Sequence, residues 1–140
     1  MPVTDDEEIR DLLDLRRIAV VGCSTTPGKA AHDIPAYMQR AGYEIYPVNP
    51  YADEILGREA VDSLADVAET VDLVDVFRPS EEAPGIVDEA IARHEDRGDV
   101  QAVWLQLGIS HDEAGARAEA AGLQFVQDRC LKIEHSRLVA

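Results

Sequence analysis

The chain has 140 residues, 28 of them acidic and 13 basic, for a formal net charge of -15. That length supports one hydrophobic core carrying one site across residues 1–140, and the negative surface disfavours nucleic acid and anionic membranes as partners. No apolar run approaches the roughly 18 residues that span a bilayer, and the acidic start Met1–Glu8 lacks a signal peptide's basic and then apolar pattern, so a cytoplasmic protein is expected.

Thr4 or Asp5 caps a short helix through Leu13, with Ile9, Leu12 and Leu13 on one face, and residues 1–14 are expected to pack on the rest. Arg16–Gly22 then reads as a buried strand ending at a glycine. After a loop, His32–Gly42 places Ile34, Tyr37, Met38 and Ala41 on one helical face, and Gly42–Val48 forms a second strand closed by Asn49-Pro50. The rhythm continues with a short helix at Ser63–Val67, a third strand at Asp72–Phe77 and a helix from Glu81 to His94. A fourth strand at Val100–Leu105, a helix at Ser110–Ala121, a fifth strand at Leu123–Val126 and a short final helix over Cys130–Leu138 complete the chain.

Alternating strands and helices specify an α/β fold, a parallel sheet covered on both faces. With right-handed crossovers the expected architecture is a Rossmann-like doubly wound sheet of five strands in the order 3-2-1-4-5. Its ligand site would lie beyond the carboxyl ends of the strands, at the switch point between the first and fourth. The loops starting at Gly22, Val48, Phe77, Gln106 and Gln127 would meet there.

The first loop, "VVGCSTTPGKAAHDI", departs from two familiar phosphate loops. Gly22 and Gly28-Lys29 are separated by five residues where a Walker A loop has four, and Ala30 stands where the magnesium-binding hydroxyl belongs. The dinucleotide pattern G-x-G-x-x-G fails at Ser24, and the second strand ends in Val48-Asn49-Pro50 with no ribose-binding acid. The tight turn at Gly22, the donors of Cys23 to Thr26, the helix N-terminus beyond and Lys29 still suit an anion. A ligand with an extra ribose phosphate would meet no repulsion there, which admits both coenzyme A and NADP.

The segments "AVVGCSTTPGK", "GYEIYPVNP", "VDLVDVFR", "AVWLQLGI" and "DRCLKIEHSRL" occur in this order from about Arg16 to Leu138. Together they resemble the successive motifs of the small stand-alone CoA-binding-domain proteins, the YccU-like family, similar in fold to the CoA-binding domain of succinyl-CoA synthetase alpha subunits. The resemblance implies CoA, or an acyl-CoA, held non-covalently across the switch-point crevice. Gly22, Cys23, Ser24 and Lys29 would hold phosphates, Val48, Asn49, Pro50, Phe77, Arg78 and Pro79 would frame the adenosine end, and Gln106, Leu107 and Gly108 would border the pantetheine path. Position 23 is a cysteine where the family usually has alanine, leaving two readings for it, a small packing residue or a thiol that meets the ligand's.

Two lysines only, Lys29 and Lys132, against carboxylates spread along the whole chain point to a high-salt cytoplasm that screens self-repulsion. Cys23 and Cys130 have no CxxC or metal spacing, so no disulfide framework or metal site is expected. Lys132 beside Cys130 could lower that thiol's pKa and make it a disulfide partner for CoA, against inert packing as the simpler role. Trp104 is expected in the core, and the acidic pair Glu81-Glu82 reads as a solvated face. No triad or metal constellation stands out, so a binding module for CoA, with a CoA-using enzyme as a candidate partner, is the first expectation. An NADP-type oxidoreductase and a thiol-redox regulator forming a mixed disulfide with CoA are the alternatives, and the oligomeric state is open.

Overall fold

The computed structural model describes all 140 residues. Five strands form one parallel sheet: β1 (Arg17–Val21), β2 (Glu44–Val48), β3 (Leu73–Val76), β4 (Ala102–Leu105) and β5 (Gln124–Val126). Five helices accompany them: α1 (Asp6–Leu12), α2 (Ala30–Arg40), α3 (Ala83–Arg97), α4 (Asp112–Ala120) and α5 (Leu131–Leu138). β3 and β4 are buried throughout, as strands covered on both faces must be. One apolar layer packs Ile9 and Leu12 of α1, Leu13 just after it and Met38 of α2 against Ile18, Val20 and Ile45. The opposite layer packs α3 and α4 against Ala19, Val74, Val76, Val103 and Leu105.

The α/β class, the parallel five-stranded sheet and its Rossmann-like form agree with the sequence reading, but the strand order does not. The order is β2-β1-β3-β4-β5, so the third strand lies inside the second rather than outside it. The cause is the segment between β2 and β3. It contains no long helix, only a two-stranded ribbon (Glu54–Ile55 with Arg58–Glu59) and a 3-10 turn at Leu64–Asp66. Val61 pairs beside Val48 at the outer edge of β2, and Asn49 N–H donates to the Val61 carbonyl at 2.8 Å. Leu64, Val67 and Val71 then join the layer of α3 and α4, not that of α2. A right-handed crossover on that opposite face must run back over β1. The switch point therefore falls between β1 and β3.

Edge position also accounts for Pro47, which lacks an N–H for the ladder and lies in the edge strand β2. At the other edge, Val3 N–H donates to the Phe125 carbonyl at 2.8 Å, tying the N-terminal segment to β5.

The crossover is clamped by one buried guanidinium. Arg93 of α3 donates to the carbonyls of Leu64 at 2.8 Å, Val67 at 2.9 Å and Glu69 at 2.7 Å, and pairs with Asp99 at 3.0 Å. Its side chain is 3% exposed. The Leu64 carbonyl also accepts from Val67 N–H, the Val67 carbonyl from Arg97 and Asp99 from Val71 N–H, so Arg93 is the sole partner only of the Glu69 carbonyl. R93A is expected to lower stability by about 3 kcal/mol, because it removes the counter-charge of the buried Asp99 and the partner of the Glu69 carbonyl. Urea denaturation monitored through Trp104 measures the loss.

Candidate functional site

Gly22 ends β1 with φ +87, a conformation that glycine adopts without strain. Its N–H donates to the Val48 carbonyl at 3.0 Å, and its missing side chain leaves room for the loop after β3. A Cβ there would lie 2.8 Å from Arg78 Cδ and 3.1 Å from the Phe77 carbonyl oxygen. The first and third strands' loops thus meet at van der Waals distance over the switch point. Asn49 joins the second loop to them: its Nδ2 donates to the Cys23 carbonyl at 2.9 Å, and its Oδ1 accepts from Tyr51 N–H at 2.8 Å.

These three loops bound a cleft of about 390 Å³. Of the residues expected at the site, Gly22, Val48, Asn49, Pro50 and Arg78 line it. So do Tyr51, 96% exposed, and the crossover residues Asp62 and Ser63, none of which the sequence singled out. Arg78 pairs bidentately with Glu82, whose oxygens accept from Nε at 3.1 Å and Nη2 at 2.8 Å. The hydrogen bonds hold the Glu82 carboxyl below, and the Arg78 guanidinium above, their ordinary pKa values. Glu82 is therefore a wall of the cleft and not merely part of a solvated face. Its spacing of four residues from Arg78 was the available signal.

The remaining expected residues divide among several places. Ser24 and Lys29 lie on the loop into α2, where Ser24 Oγ accepts from Thr26 N–H at 3.0 Å and Lys29 is exposed without an ion pair. The Gly28 N–H donates to Asp33 at 3.1 Å, Ser24 N–H to Ala31 at 3.0 Å and Lys29 N–H to Thr26 at 3.3 Å. The N–H groups of Cys23, Thr25, Ala30 and Ala31 make no hydrogen bond within the chain. Lys132 lies over the Tyr37 ring, 5.3 Å from its centroid. Phe77 is half-buried, and Pro79 and Gly108 are exposed. Leu107 and Cys130 line a separate concavity of about 690 Å³, beside the exposed Ile133.

Two expected residues are buried beneath the loops. Cys23 is fully buried in the layer of α1 and α2, and burial, with the Asp75 charge second, pushes its thiol up to about 12. Its side chain packs, and the loop uses its backbone. Gln106 Nε2 donates to Asp75 Oδ1 at 2.8 Å, while its Oε1 accepts from Leu131 N–H at 3.4 Å, linking β3, β4 and α5. Asp75 Oδ2 has no partner, and burial pushes this carboxyl up to about 7. Trp104 is in the core as expected, its Nε1 donating to the Arg129 carbonyl at 2.8 Å.

A family model described as a CoA binding domain matches residues 16–136. The chain is 40% identical over 130 residues to the Bacillus subtilis protein YneT, covering 92% of this chain and 93% of YneT. It is 33% identical over 129 residues to the ADP-forming acetate–CoA ligase II of Archaeoglobus fulgidus, covering 90% of this chain but only 19% of the ligase. The solved structure of a hypothetical protein from Pyrococcus horikoshii superimposes with a TM-score of 0.91 at 34% identity, covering 100% of this chain and 97% of the other. No helix is long and apolar enough to cross a membrane.

Asp75 gives the fold a pH dependence of definite sign. The folded chain holds its proton up to about pH 7, whereas the unfolded chain releases it near the ordinary value of 3.8. Between those values the folded state binds more protons, so this group's contribution to stability falls as pH rises and is level on either side. The amide introduced by D75N would keep an acceptor for Gln106 without titrating. Urea denaturation across pH 4 to 8 should show D75N gaining on the wild type through that window, by up to about 4 kcal/mol. A difference independent of pH would contradict the assignment.

Proposed function

The chain belongs to the CoA binding domain family, and on that premise we propose that it binds coenzyme A or an acyl-CoA non-covalently along the carboxyl edge of its sheet. The observation that carries the reading is the meeting of the Gly22, Asn49 and Arg78 loops around one cleft at the switch point, the place where open α/β sheets take ligands. The residues present suit the group. Three unpartnered N–H groups at Thr25, Ala30 and Ala31, with the unpaired Lys29, offer donors and charge to a diphosphate. The second strand ends in Asn49, whose amide is engaged with loop backbone, so no carboxylate repels a phosphorylated ribose at that position.

In this reading the adenosine end lies in the cleft by Asn49, Pro50 and Arg78, and the pantetheine arm runs toward Leu107 and Gly108. Binding, orientation and shielding are the work of this chain's residues. Any chemistry at the ligand's thiol or acyl group would be supplied by a CoA-using partner enzyme. The likeness to a segment of an ADP-forming acetate–CoA ligase supports that division of labour, since the chain matches only 19% of the ligase's length. Cys23 is a packing residue in this account, because a buried thiol pushed up to about 12 is neither exposed nor ionised at neutral pH.

Calorimetric titration with CoA, NAD and NADP tests the proposal. CoA should bind, and K29A should weaken it by about tenfold with unchanged thermal stability, since Lys29 is exposed and unpaired. Absence of heat with CoA at every salt concentration, or tighter binding of NADP, would overturn it.

A further inference from the structure

Among the residues lining the 390 Å³ cleft, Arg78 is the one cation, and it faces three carboxylates, Asp62, Glu82 and Glu89. Its guanidinium is engaged fork to fork by both oxygens of Glu82, an arrangement that a phosphate monoester satisfies equally well. The two partners differ in freedom. The Arg78 stem lies against Gly22, with Cδ 2.8 Å from where a Cβ of residue 22 would sit. Exposure does not separate them, at 47% for Arg78 and 46% for Glu82, but Glu82 closes the 3-10 turn Ser80–Glu82 and no other polar group holds its carboxylate. Asp62 and Glu89 make no ion pair and contribute negative potential to the same space.

Resting on the CoA reading above, we infer that Glu82 is an internal stand-in for a ligand phosphate: the 3′-phosphate of CoA takes Arg78 by displacing Glu82, which thereby limits how strongly that phosphate contributes to binding. A terminal monoester carries about two charges and can exchange with a carboxylate, whereas each phosphate of the diphosphate carries one and has the N–H groups of the α2 loop available. Glu82 then sets the discrimination between CoA and an analogue lacking the 3′-phosphate. It is a specificity-determining residue, and its effect is electrostatic. High salt should erase it, since screening at about 1 M reduces the Debye length to about 3 Å.

The test is calorimetric titration of wild type, E82Q and R78Q with CoA and with 3′-dephospho-CoA, at 0.1 M and 2 M KCl. At low salt E82Q should bind CoA about fivefold more tightly than wild type and bind 3′-dephospho-CoA unchanged. R78Q should bind both ligands alike, and at high salt E82Q and wild type should converge. Equal gains for both ligands would place the diphosphate, not the 3′-phosphate, at Arg78 and overturn the inference. Unchanged affinities in E82Q would overturn it too while leaving the CoA reading intact. Failure of wild type and both variants to bind either ligand would overturn both.

Discussion

The approach of the Phe77–Arg78 backbone onto Gly22 is the constraint on which the site depends. A side chain at position 22 would meet Arg78 and the Phe77 carbonyl at contact distances too short to hold, and would have to adopt φ +87. Because glycine is there, two loops from neighbouring strands converge, Arg78 is laid across the end of β1, and Asn49 can reach the Cys23 carbonyl from the third side. The cleft is a consequence of that convergence. Its charge is set by what the convergence leaves facing inward: one guanidinium and three carboxylates.

A second constraint decides which strands are neighbours. Arg93 gathers the carbonyls of Leu64, Val67 and Glu69 with Asp99, fixing the crossover on the α3 face. The same segment delivers Asp62 and Ser63 to the cleft. Stability and site geometry are therefore joined through a short piece of chain that carries little regular structure.

The layers were legible from periodicity: every sheet strand and helix lies where apolar spacing placed it, with shifts of a few residues at the ends. Helix α3, for example, runs on to Arg97, where Gly98 in the left-handed region stops it. The strand order was not legible, because it depends on which face Leu64, Val67 and Val71 choose, and no local pattern reports that. The ribbon at 54–59 was also missed, being only two residues per strand. At the site, Gly22, Asn49 and Arg78 stood out through their places at strand ends. Tyr51 and Asp62 did not, since irregular backbone brings them in. Cys23 shows the opposite limit: its place in the loop allowed either a packing residue or a thiol that meets the ligand's, and the packed layer beneath makes it core. Glu82 read as one more carboxylate on an acidic chain until its partner was visible.

Amide chemical-shift mapping of the nitrogen-15-labelled protein during titration with CoA reads out whether the carboxyl edge at the switch point is the CoA site. Saturable shifts are expected at Gly22–Ala31, Asn49–Tyr51, Arg78–Glu82 and Leu107–Gly108, with α4 and the 190 Å³ hollow beside Tyr46 and Arg58 unaffected. Saturable shifts confined to other surfaces, or none at millimolar CoA, would contradict that assignment.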